Sequence, residues 1–179
     1  MCDNLIRAVE NPVKGNANVT KEEYPLAHQT TYAYYTGRLA MFEDRYHDAA
    51  RDLDLAFQHC PAAALRNKKL ILQTLVPIKL MLGTLPKAEL LVKYQLACYT
   101  DVCNAVRTGD LLLFIDSMRK HKDVFISMGV YLILEKVKLL VYRNLVKKVY
   151  HLKENHHQLP LNLFETAFKF CQKDESISL

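Results

Sequence analysis

Tyr32-Ala33-Tyr34-Tyr35-Thr36-Gly37-Arg38-Leu39-Ala40-Met41-Phe42, the break Glu43-Asp44-Arg45, and then Tyr46 through Phe57 form the stretch that decides the fold. Tyr32, Tyr35, Leu39 and Phe42 recur at three- and four-residue steps, the spacing that puts side chains on one helix face. Tyr46, Ala49, Leu53, Ala56 and Phe57 repeat the pattern after three polar residues. Two antiparallel helices joined by a tight turn follow from this.

The small residues of the pair carry more information. Gly37, Ala49, Ala56 and Pro61 stand at the offsets of the tetratricopeptide pattern, where two helices approach closely and proline ends the second. The aromatic and Leu-Gly positions of that pattern are not matched. Upstream, Pro12, Gly15, Asn16, Asn18 and Pro25 predict a loop over residues 11–25 after a short leading helix. Downstream, Lys68 to Leu82 is helical, kinked at Pro77 and stopped by Gly83 and Pro86. Lys87 to Tyr94 and Ala97 to Arg107 read as short helices. Thr108-Gly109-Asp110 closes one helix and caps the next, Leu111 to Lys120. The Leu-, Val- and Tyr-rich run Val130 to Leu152 reads as either one extended helix or two that meet near Tyr142-Arg143-Asn144, and two are expected. A polar turn at Glu154 to Gln158 leads into a last amphipathic helix, Leu161 to Cys171, with Leu163, Phe164, Ala167, Phe168 and Phe170 available for packing. The fold class is all-α.

Composition narrows the function. Half of the 179 residues are apolar, enough for a sizeable core. Glu135, Lys136 and Lys138 interrupt the longest apolar run, so a soluble chain is expected, and Asp3, Arg7 and Glu10 leave no signal-peptide core. Five scattered cysteines suit free thiols in a reducing compartment. The net charge of +5 sits in one block: residues 1–110 carry 13 basic and 12 acidic side chains, residues 111–157 nine and four, and residues 158–179 two and three. Such a basic surface suits nucleic acid or an acidic polypeptide, or is simply a solvated helix face.

Catalytic chemistry finds little support. Cys98 and Cys103, His59-Cys60, and His156-His157 have no zinc-ligand spacing, so no metal is expected. No glycine-rich phosphate loop, nucleophile elbow or His-Glu-x-x-His helix is present, so neither a catalytic residue nor a cofactor is expected. On a continuous helix Lys136, Arg143 and Lys147 would fall within roughly 40° of one another, with Lys148 further round. These four are the candidate nucleic-acid-binding residues. Tyr142 and Tyr150 could stack on bases or fill the core.

Three tracts are more specific. Tyr34 to Phe42 with Ala56-Phe57-Gln58-His59-Cys60, Leu75 to Gly83, and Tyr142-Arg143-Asn144-Leu145-Val146-Lys147-Lys148-Val149-Tyr150 resemble, in order, the PCI-domain subunit of the nuclear-pore-associated transcription-and-export complex. The resemblance runs from about Leu5 to Phe170. It implies stacked helical repeats leading into a winged helix, which here lacks its third helix and β-wing: a helical-repeat remnant and loop over 1–38, then a PCI domain over 39–179, with repeats to about 140 and a partial winged helix over 141–179. It also implies a non-catalytic scaffold for messenger-RNA export in the nucleus at the pore, and in the cytoplasm as well. The expected partners are a large export scaffold protein, a small acidic disordered subunit, and RNA or DNA at Arg143, Lys147 and Lys148. Two alternatives are a stand-alone RNA- or DNA-binding module and a PCI subunit of a signalosome- or proteasome-lid-type assembly.

Overall fold

A computed structural model describes residues 24–152 and 160–172, and within them every regular element is a helix. In chain order these are α1 (Leu26–Phe42), α2 (Tyr46–His59), α3 (Leu65–Met81), α4 (Ala88–Lys93), a 3₁₀ turn (Ala97–Tyr99) continuing into α5 (Thr100–Thr108), α6 (Leu111–Lys120), α7 (Lys122–Ser127), α8 (Tyr131–Leu152) and α9 (Leu161–Gln172). The all-α, PCI-like architecture of paired helices is therefore observed. The expectations for the leading helix, the loop over 11–25, the polar turn after Leu152 and the Phe168 and Phe170 side chains lie outside the described residues.

Among the described residues, five helix ends are closed by a residue in the left-handed region: Asp44, Gly83, Gln95, Gly109 and Gly129. At each, the next amide folds back onto a carbonyl five residues earlier, as in Arg45 to Ala40 (2.9 Å), Thr84 to Lys79 (2.8 Å) and Val130 to Phe125 (3.0 Å). These bonds satisfy carbonyls that would otherwise end the helix unpaired. Asp110 then caps α6, its Oδ1 accepting from the Leu113 amide at 3.0 Å.

The chain divides into two compact units, Met1–Leu75 and Val76–Leu179. In the first, α1 packs along α2 through Ala33, Gly37, Ala40 and Met41 against Ala49, Ala50, Leu53 and Ala56. This corrects the aromatic reading of α1: Tyr35 and Phe42 are 63% and 62% exposed. The two backbones come too close for rings between them, since a Cβ on Gly37 would meet Leu53 Cγ at 2.7 Å and the Ala49 carbonyl oxygen at 3.2 Å. Residue 38, the expected domain edge, lies inside α1 beside this contact.

Lys68 closes the first unit from α3. It is almost fully buried, donates from Nζ to the Phe57 carbonyl at 2.8 Å, and lies 4.2 Å from the centre of the Phe57 ring. A cation there satisfies a carbonyl of the last turn of α2 and faces the negative end of the helix dipole. Lys68→Met keeps the apolar stem and deletes the charged hydrogen bond; it should lower unfolding free energy by about 1.5–3 kcal/mol in urea titrations. An unchanged midpoint would show that the bond contributes nothing.

In the second unit Tyr99, Phe114, Phe125, Leu111, Leu134, Val137 and Val141 are essentially inaccessible. Burying each of the aliphatic or aromatic side chains stabilises the fold by about 1.5–3 kcal/mol. The six-residue helix α7, absent from the sequence reading, contributes Phe125, whose ring stacks on Tyr99 with centroids 5.4 Å apart.

Candidate partner and nucleic-acid interface

The segment expected to break near Tyr142 is one uninterrupted helix of 22 residues, α8. It contains neither Gly nor Pro. Asn144, the residue best suited to breaking a helix locally, spends its side-chain amide on the Val106 carbonyl at 2.6 Å instead of on its own backbone. Ile133, Leu134, Val137 and Val141 form the buried stripe facing α5 and α6. Gly109 brings the end of α5 against the α8 backbone at Asn144 and Leu145. Position 141, where the winged-helix part was expected to begin, is thus a core position in mid-helix.

Continuity fixes the geometry of the candidate residues. Lys136, Arg143 and Lys147 occupy one sector of α8, and Lys148 lies about 120° from Lys136 at 100° per residue. All four are exposed. Among the described residues no ion pair engages Arg143, Lys147 or Lys148. Tyr142 and Tyr150 are half-buried; Lys138 Nζ lies 5.9 Å from the Tyr142 ring centre, and Tyr150 packs edge-on to His151 at 5.7 Å. Neither ring is an open stacking platform.

The sequence reading missed the residues between and beside these cations. Leu132 and Leu139 are 76% and 69% exposed, and Val146 is also exposed. They follow at seven-residue steps on the side of α8 opposite its buried stripe. Next to them Phe114, Met118, Arg119, Lys122, Tyr131, Glu135 and Lys138 line a shallow groove between α6 and α8. The heptad spacing was present in the sequence, but nothing there separates an apolar stripe facing solvent from one facing the core.

The described thiols differ in exposure. Cys60 and Cys103 are buried and Cys98 is half-buried. Burial pushes the Cys103 thiol up to about 12, an effect that outweighs the nearby Arg107. In the folded chain at pH 8, a short iodoacetamide pulse should label Cys98 well before Cys103, as read by peptide mass spectrometry. Equal labelling would mean that Cys103 is accessible.

These features define a class: an all-α, PCI-like module of paired helices that displays a cationic and apolar helix face and has the build of a binding element. The chain is 43% identical over 175 residues to zebrafish PCI domain-containing protein 2, across 98% of this chain and 42% of that protein. It is 42% identical over 172 residues to the Xenopus laevis protein of the same name, across 96% of this chain and 41% of the relative. A CSN12 homolog of Mycosarcoma maydis is 32% identical over 171 residues, across 90% and 35% of the two chains. The chain thus spans about two fifths of the length of the PCI domain-containing protein 2 relatives. No protein-family model matches it. The chain is similar to PCI domain-containing protein 2 of these animals over nearly its whole length.

Proposed function

We propose that the chain is a non-catalytic scaffold subunit of a nuclear assembly that couples transcription to messenger-RNA export at the pore. The observation that carries this reading is the ordered set of tracts resembling the export-complex subunit, together with identity of about two fifths over nearly the whole chain to PCI domain-containing protein 2. Its partners in this reading are a large export scaffold protein and a small acidic disordered subunit. Affinity purification of the 179-residue chain from nuclear extract tests the assignment. Recovery of an export scaffold is expected; recovery of proteasome-lid or signalosome subunits in its place would overturn it.

A second reading, direct binding of RNA or DNA, draws on the shared sector of Lys136, Arg143 and Lys147, with Lys148 further round the helix. Phosphate contacts release counterions, so affinity should fall steeply with salt. Arg143→Glu with Lys147→Glu should abolish binding to single- and double-stranded probes while shifting stability by less than about 0.5 kcal/mol, because both side chains are exposed. Binding that persists in this variant, or that ignores salt, would remove these residues from the interface.

A further inference from the structure

Helix α8 is apolar on two opposite faces. Ile133, Leu134, Val137 and Val141 are buried, while Leu132, Leu139 and Val146 are presented to solvent on the far side. Surface helices of globular proteins carry one apolar stripe, and a helix apolar all round is one that becomes covered all round. The outer stripe repeats every seven residues, so at about 1.5 Å rise per residue it runs roughly 21 Å, the length of a helix of four turns.

Its borders are predominantly cationic. Lys136, Arg143 and Lys147 flank it along one edge, and Lys122, Lys138 and Arg119, which pairs with Asp116 at 3.9 Å, lie at the groove along the other. The acid of that groove, Glu135, accepts a hydrogen bond from Tyr131. We propose that the outer face of α8 docks an amphipathic helix of a partner polypeptide, with an apolar ridge seated on Leu132, Leu139 and Val146 and acidic residues on both flanks. The juxtaposition selects among occupants. Nucleic acid would satisfy the cations and leave three apolar side chains in water. A second copy of the chain would set Lys136, Arg143 and Lys147 against their own kind, which costs affinity. A uniformly acidic segment would meet the charges and not the stripe. An acidic amphipathic helix meets both, in the manner of helix-in-groove recognition. The inference rests on the scaffold reading only in taking the surface as a protein-binding one, and is independent of the export role.

Fluorescence anisotropy with the full 179-residue chain tests it. The probe is a labelled 21-residue peptide with Leu at every seventh position and Glu on either side; the comparison peptide has the same composition with its leucines spread around the helix. The patterned peptide should bind at least about tenfold more tightly. Leu139→Ala should weaken it about tenfold, as truncation of a central anchor does, and Leu139→Glu should abolish it. Val92→Ala, at a 76% exposed site on α4, should change nothing. Equal affinity for the two peptides would overturn the proposal in favour of charge alone. So would concentration-dependent dimerisation that Leu139→Glu reverses, or single-stranded RNA binding that depends on Arg143 and displaces the peptide while Leu139→Ala has no effect. Peptide binding without recovery of an export scaffold would refute the export role and leave this inference intact.

Discussion

Gly109→Ala should lower the thermal midpoint of the chain by roughly 10 °C or more, and Gly83→Ala by only a few degrees. Both glycines close a helix with positive φ, +68° and +80°, so both variants incur the left-handed penalty of about 1 kcal/mol. They differ in what surrounds the added carbon. At Gly83 nothing lies within 4 Å. At Gly109 a Cβ would stand 2.6 Å from the Leu145 nitrogen and 2.9 Å from the Asn144 carbonyl carbon, and backbone cannot swing aside as a side chain can. Relief requires α5 and α8 to separate, which strains the Asn144–Val106 hydrogen bond and the packing around it. The combined cost of strain, overpacking and a weakened bond is about 3–5 kcal/mol. For a chain of this size each kcal/mol moves the midpoint by about 2–4 °C. Differential scanning calorimetry on the two variants decides the matter: equal shifts would mean that the close approach of α5 to α8 is not present in solution.

A loss of about 3–5 kcal/mol is likewise expected for Tyr99→Ala. Tyr99 is fully buried, stacks on Phe125, and points its hydroxyl at the Met128 sulfur at 3.6 Å. Alanine would leave a cavity and strip Phe125 of its partner. Tyr99→Phe keeps the stack and loses the weak contact to sulfur, so it should cost less than about 1 kcal/mol at neutral pH. The pair also reports on alkaline stability. Desolvation by burial holds the Tyr99 phenol well above the usual tyrosine range, and it pushes the Cys103 thiol up to about 12. In the unfolded chain both groups lose their protons at ordinary values, so above about pH 9 the folded chain binds more protons. Their contribution is then complete below that pH and disappears as pH rises through the folded values. Urea titrations at pH 8 and pH 10.5 should show a decline for the parent chain, and a smaller one for Tyr99→Phe. A decline of equal size would remove Tyr99 from the titrating set.

Element identity was legible because it depends on local pattern. The polar break Glu43-Asp44-Arg45, the stop-and-cap Thr108-Gly109-Asp110 and the end of a long run at Leu152 are all where the spacing put them. Which face of a helix is buried was less legible. On α1 the aromatic stripe reads as the core side, yet the approach distance at Gly37 admits only small residues, and Tyr35 and Phe42 face outward. The continuity of α8 was hidden for a similar reason. Asn144 in isolation favours a break, and only its bond to Val106, 38 residues away in sequence, turns it into a tether. The exposure of the four cations followed from charge and spacing. That of the apolar stripe among them did not, because seven-residue repeats look alike whether a neighbour covers them or water does. The short helix α7 carries one essential ring, Phe125, on too few residues to show a period.

The five left-handed closures have a consequence for how the chain is made. Each reversal is written within about six residues, so it needs no distant segment to form. A hairpin such as α1–α2 is complete once its last residue has left the ribosome, and at a synthesis rate of about 5–20 residues per second the next turn follows seconds later. Helices form in about a microsecond. Translation therefore sets the tempo, and each arriving helix meets a neighbour already in place.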